Sequence, residues 1–129
     1  MSQQWIWIAL DVAVSAHAEQ LAEHGGGEGV RDLGALESAM ARPINLSLYG
    51  DPGIAELAAA YAFGIARNHP FVDGNKRTAA VTSETFLALN GYTLTASDAE
   101  LVVAFVELAA GNLTEAEMSV WFSDFISPG

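Results

Sequence analysis

"HPFVDGNKRTAA", His69 to Ala80, is the stretch on which the reading of this chain turns. Pro70 disfavours helical geometry at His69, so a preceding helix must stop there. Gly74 and Asn75 then open a new helix. A loop that runs into a helix in this way aims several backbone N–H groups at one point, and the helix dipole adds partial positive charge there, making an anion site. Gly74 has no Cβ, so a phosphate can approach the backbone closely. The charges agree with this. The 129 residues hold 5 Lys and Arg against 16 Asp and Glu, a net charge of −11, yet three of the five cations, Arg67, Lys76 and Arg77, crowd around this stretch. Cations in the first turn of a helix oppose its dipole, so Lys76 and Arg77 are poor helix design and good phosphate ligands. Arg67 joins them as a candidate nucleotide-binding residue.

Asp73 would repel a phosphate unless a divalent cation lay between them. Mg²⁺ takes one or two carboxylates together with phosphate oxygens, which suits one aspartate. The imidazole of His69 is of the kind that can take a proton from an attacking hydroxyl. An anion cradle, a metal carboxylate and a base describe phosphoryl or nucleotidyl transfer.

Outward from this stretch the pattern is helical, in one domain spanning residues 1–129. Asp11 is expected to cap a helix that runs to His24 and ends in "GGGEG", Gly25 to Gly29. Asp32 caps a second, short helix stopped by Pro43. "PINLSLYG" alternates apolar and polar residues, with Ile44, Leu46 and Leu48 on one face, and reads as a strand or extended flap. Asp51-Pro52 reads as the start of the next helix, Ala-rich and apolar nearly all round, hence central and buried. The helix after Asn75 stops at Gly91, "YTLTA" is extended, and Ser97 and Thr114 open the last two helices. Each has a glutamate three residues on, Glu100 and Glu117, in capping-box spacing. The fold class is all-α, a compact bundle of about six helices with a short extended flap.

With 51% hydrophobic residues the chain is not disordered by composition. No uninterrupted apolar span of about 20 residues suggests a membrane helix, and the N-terminus shows no secretory signal. The absence of cysteine excludes disulfides and zinc-thiolate chemistry and fits a reducing cytoplasm. A pI near 4.3 speaks against DNA binding by the chain itself. "GGGEGV" lacks the last glycine of a dinucleotide fingerprint, and "GNKR" is no phosphate loop. His17 and His24, with no third ligand, read as ordinary surface or core-edge histidines. Trp5, Trp7 and Trp121, with Phe122 and Phe125, read as packing that ties the two ends together.

"HPFVDGNKRTAA" resembles the signature of the Fic/Doc family. "GGGEGVRDLGALESAMARP", "LYGD", "LAAAYAFGIARNHPF" and "FLALNGYTL" extend the resemblance, towards the death-on-curing branch, over most of residues 17 to 94. It implies a small helical bundle with a flap beside the active site. It implies roles too: His69 as general base or orienter of the target hydroxyl, Asp73 as the Mg²⁺ ligand, and Gly74, Asn75 and the amides around Lys76 as an anion hole. Arg77 would hold nucleotide phosphates, Phe71 would anchor the loop, and the segment from Arg42 to Leu48 would dock the target by backbone pairing.

AMP-transferring members resemble HPFx(D/E)GNGRxxR. Here Lys76 replaces the second glycine and Ala80 the final arginine, which disfavours AMP transfer and is similar to the branch thought to move the γ-phosphate of ATP to a protein hydroxyl. The implied function is a toxin with kinase activity, acting on a threonine of elongation factor Tu and so stopping translation. AMP transfer to a protein hydroxyl and a catalytically idle interaction module are the alternatives. The inhibitory pattern (S/T)xxxE(G/N) is met only imperfectly by "SAHAEQ", Ser15 to Gln20, so the resemblance implies a separate antitoxin, and a basic segment would suit the charge.

Overall fold

A computed structural model describes residues 4–129. Among them are six helices, α1 (Leu10–His24), α2 (Leu33–Tyr49), α3 (Ile54–Asn68), α4 (Asn75–Leu89), α5 (Asp98–Ala110) and α6 (Glu115–Phe125). Two short strands, β1 (Tyr92–Leu94) and β2 (Ile126–Pro128), pair antiparallel with Thr93 opposite Ser127. The fold is the expected helical bundle, with α3 at its centre and α2, α4, α5 and α6 packed against it. Eleven of its residues are buried, seven of them alanines or glycine, and these small side chains let neighbouring helices come close. At Gly64 the approach is closest: a Cβ there would stand 2.8 Å from the Cβ and 2.9 Å from the Cα of Ala39 on α2.

Several helix ends follow the expected chemistry. The Asp32 carboxylate accepts the Ala35 N–H at 3.0 Å. Ser97 and Thr114 each form the reciprocal box with Glu100 and Glu117. Two starts differ. Ala9, not Asp11, precedes α1, and Asp11 sits in the first turn, where the dipole still favours it. Gly53, not Asp51, caps α3, and the Glu56 carboxylate accepts its N–H at 3.3 Å.

The flap is the main correction. Arg42 to Leu48 is the last part of α2, with Pro43 inside the helix. Leu36, Ala39, Met40 and Pro43 are the buried residues of α2, and their spacing is one helical stripe. Burial of that stripe outweighs the backbone bond that proline cannot make. The period-2 pattern of Ile44, Leu46 and Leu48 is incidental, and Leu48 is 70% exposed. Helical backbone offers no free strand edge, so this segment cannot dock a polypeptide by strand pairing. Arg42 instead clamps α2 to α6, with Nε and Nη2 donating to the Glu115 carboxylate at 2.6 and 3.0 Å.

The tryptophans fall into two clusters. Trp5 and Trp7 pack on Phe86 together with Tyr61, while Trp121 packs on Phe105, Phe122 and Phe125. The two ends meet elsewhere, at the corner after α4. Asn90 exchanges two hydrogen bonds with the backbone of Ile6, and the Gly129 N–H donates to the Gly91 carbonyl at 2.9 Å.

Candidate functional site

The loop between α3 and α4 is built as a hairpin of contacts with the segment that follows α1. Phe71 is fully buried and forms a bridge with Val30. The Val72 N–H donates to the Gly29 carbonyl at 3.1 Å, and the amides of Arg31 and Asp32 both donate to the Pro70 carbonyl. Asn75, itself buried, closes the loop on Phe71 from the other side. Its side-chain carbonyl accepts the Phe71 N–H at 2.9 Å, and its amide donates to the Phe71 carbonyl at 3.0 Å. The Asn75 side chain is thus committed to holding the loop, and only its backbone amide faces the helix start.

Gly74 caps α4 with φ 74°, ψ 18°, a left-handed conformation natural to glycine. Its N–H is taken by Asp73 Oδ1 at 2.8 Å. The donors left for an anion are therefore the first-turn amides of α4, from Asn75, Lys76 and Arg77, which helix geometry leaves without partners in the helix. Asp73 Oδ2 lies against Gly26, where an added Cβ would come within 2.8 Å of it. The triglycine after α1 therefore gives the carboxylate the room it occupies.

His17 carries a role that its sequence context did not signal. It is buried, its ring stacks on Phe71 with centroids 4.0 Å apart and planes 9° from parallel. Its Nε2 donates to the Asp73 carbonyl at 2.8 Å, which fixes the tautomer with the proton on Nε2. The ring thus stands directly behind the peptide that starts α4. The only sequence signal was its place on the apolar face of α1, one turn from Leu21, and nothing local linked it to residue 73.

A cavity of about 840 Å³ brings together His69, Asp73, Gly74, Asn75, Lys76, Arg77 and Ala80. Its opposite wall is the apolar face of α5, including Leu101, Val102, Phe105 and Val106. Ala80 lines it with a methyl group, leaving open the space an arginine would reach into. Arg67 is the exception among the expected site residues. It does not line this cavity, but lies against Gly111 and over the Phe63 ring, with its guanidinium carbon 5.6 Å from the ring centroid. It is only two residues from His69, yet α3 turns it away from the cavity.

The cavity is bipolar. Lys76 and Arg77 stand at the start of α4, and Glu84 and Asp98 close the other end. Burial pushes the Glu84 carboxyl above its usual range, and the negative charge of Asp98 adds to this. The folded state therefore holds that proton more tightly than the unfolded chain, and stability falls as pH rises from about 4.5 upward. Glu84→Gln should raise Tm at pH 7 and leave it nearly unchanged near pH 4, as read by a thermal melt at both pH values. An equal gain at both would rule out this linkage. Glu100 and Glu117 have the opposite sign. Hydrogen bonds from Ser97 and Thr114 hold them below the usual range, so their contribution is present at neutral pH and lost on acidification.

Among the described residues no group of three or more His, Cys, Asp or Glu is arranged to hold a metal. The donor set fits a cation only if phosphate oxygens complete it, with Asp73 Oδ2 as the protein ligand.

Comparison with known proteins agrees with this architecture. Residues 7–87, which include α1 to α3 and nearly all of α4, match the sequence model of the Fic/DOC family. Over 75 residues the chain is 48% identical to a protein named Toxin Doc from Mycolicibacterium smegmatis (strain ATCC 700084 / mc(2)155), a match that covers 56% of this chain and 57% of that relative's length. Over 113 residues, 87% of this chain and 89% of the relative, it is 29% identical to a protein of Escherichia phage P1 named Protein kinase doc. With the family match spanning well over half its length and every residue of the α3–α4 loop, the chain belongs to the Fic/DOC family.

Proposed function

We propose that this chain is a toxin of the Doc type that transfers the γ-phosphate of ATP, bound as its Mg²⁺ complex, to a Ser or Thr hydroxyl of a protein. One observation carries the reading: a single cavity gathers the His69 imidazole, the Asp73 carboxylate, the first-turn amides of α4 and the cations Lys76 and Arg77. The target hydroxyl oxygen attacks the γ-phosphorus, its proton passes to His69, and the bond to the β-phosphate oxygen breaks, releasing ADP. The amides and the two cations neutralise charge on the transferred group. Mg²⁺, held by Asp73 and phosphate oxygens, would supply further positive charge there. Lys76 in place of glycine and Ala80 in place of arginine favour this reaction over AMP transfer. The name of the phage relative supports kinase chemistry.

Elongation factor Tu is the target the family resemblance suggests, and a cognate antitoxin with a basic segment is the partner that suits a chain of net charge −11. No described helix is long and apolar enough to cross a membrane, and a chain without cysteine suits the cytoplasm.

The deciding experiment incubates the protein with γ-labelled ATP, Mg²⁺ and a bacterial lysate, then measures the intact mass of the modified protein. A gain of about 80 Da marks phosphate, while about 329 Da marks AMP, from the masses of the two groups. The expected result is phosphate, lost in Asp73→Asn. Label on no protein would exclude the kinase reading.

A further inference from the structure

We propose that Arg31 is a positioning residue that presets the backbone of His69, an inference that rests on the phosphotransfer reading above. His69 has φ 48°, ψ 57° and is the one non-glycine with positive φ among the described residues. It occupies the position after a helix where glycine is usual, because a side chain makes the left-handed conformation costly. Glycine would remove that cost but carries no imidazole. Strain retained at a functional position needs surroundings that over-determine it.

Arg31 supplies them. Its Nε donates to the His69 carbonyl at 2.8 Å and its Nη2 to the Asn68 carbonyl at 3.0 Å. Its own amide and that of Asp32 donate to the Pro70 carbonyl at 2.8 and 3.0 Å. Three successive carbonyls, the last of α3 and the two that follow it, are thus all met from one two-residue step. The planar guanidinium matches two adjacent carbonyls in a way that a lysine ammonium, a single point charge, cannot.

The use of the charge is informative as well. The chain has only five Lys and Arg, and among the described residues Arg31 makes no ion pair, unlike Arg42. Its charge goes to backbone dipoles beside the proposed base. Without it, His69 is free to relax to the right-handed or extended region. Its Cβ vector would then swing and carry the imidazole away from the anion site, a displacement of the kind that costs about a hundredfold in rate.

The test uses the full chain and compares wild type with Arg31→Ala and Arg31→Lys. Two readouts are taken: the ¹³Cα and ¹³Cβ shifts and the HN–Hα coupling of His69 by NMR, which report its φ, and γ-phosphate transfer at saturating Mg-ATP with the nucleotide Kd from calorimetry. The expected result is loss of the left-handed signature in Arg31→Ala, a 10- to 100-fold fall in kcat, a nucleotide Kd within twofold of wild type, and partial recovery of both readouts in Arg31→Lys. Persistence of the left-handed signature in Arg31→Ala overturns the proposal, whatever the activity. So does loss of the signature with an unchanged transfer rate. If Arg31→Ala does not fold, Arg31→Met, which keeps the apolar stem and removes the donors, decides by the same criteria. If wild type transfers no label, the kinase reading falls by itself, and the NMR signature alone decides whether Arg31 sets His69.

Discussion

Replacing His69 by alanine is expected to lower γ-phosphate transfer by about two to four orders of magnitude, the usual contribution of a positioned general base. The fold should survive. His69 is exposed, lies beyond the end of α3, and its ring makes no hydrogen bond to another described residue. Nucleotide binding should also persist, because the α4 amides, Lys76 and Arg77 are untouched. A companion variant sharpens the result. His69→Gly should be equally inactive yet more stable than wild type by about 1 kcal/mol, roughly 3–5 °C in Tm, since glycine adopts the left-handed backbone without strain. Single-turnover transfer with labelled ATP and a thermal melt check both. An alanine variant within threefold of wild-type transfer would mean that another group takes the proton. A glycine variant less stable than wild type would mean that the ring, not the backbone, holds this corner.

Phe71→Ala is expected to carry the largest stability loss in the active loop. The side chain is fully buried, and truncating a buried phenylalanine costs about 3–5 kcal/mol. In a domain of this size that lowers Tm by roughly 10–20 °C. The loss has two parts. One is the void left beneath the loop; the other is the face-to-face contact with His17, which is lost while its Nε2 still holds the Asp73 carbonyl. The Phe71 backbone keeps both hydrogen bonds to Asn75, so the loop retains its register even as the core beneath it softens. Urea denaturation measures the effect. A loss below about 1 kcal/mol would show that Asn75 alone secures the loop and that the ring contributes little.

Both results concern a stretch that was legible in the sequence, and the reason is local. Pro70, Gly74 and the helix start at Asn75 act over a few residues, so the loop, the start of α4 and the placement of His69, Asp73, Lys76 and Arg77 around one cavity followed from spacing. The capping boxes at Ser97 and Thr114 were legible on the same ground. What could not be read depended on distant partners. Pro43 looked like a stop because the benefit of burying Leu36, Ala39, Met40 and Pro43 against α3 does not appear in a local pattern. Arg67 looked like a phosphate ligand because proximity in sequence says nothing of the way a helix turns. His17 and Arg31 were passed over because their partners are 56 and 38 residues away. The glycines after α1 were recognised as a helix stop, but their close approach to Asp73 and Val72 emerged only from the packing.

The segment from His17 to Asp32 holds the loop from His69 to Gly74, and the two lie on opposite sides of the turn at Gly50–Gly53. Division of the polypeptide at that turn would give two fragments, one with α1 and α2 and one with the central helix and the loop from His69 to Gly74. Held together by the α2–α3 interface, the two would restore the loop between α3 and α4, so the left-handed backbone signature of His69 would report their reunion.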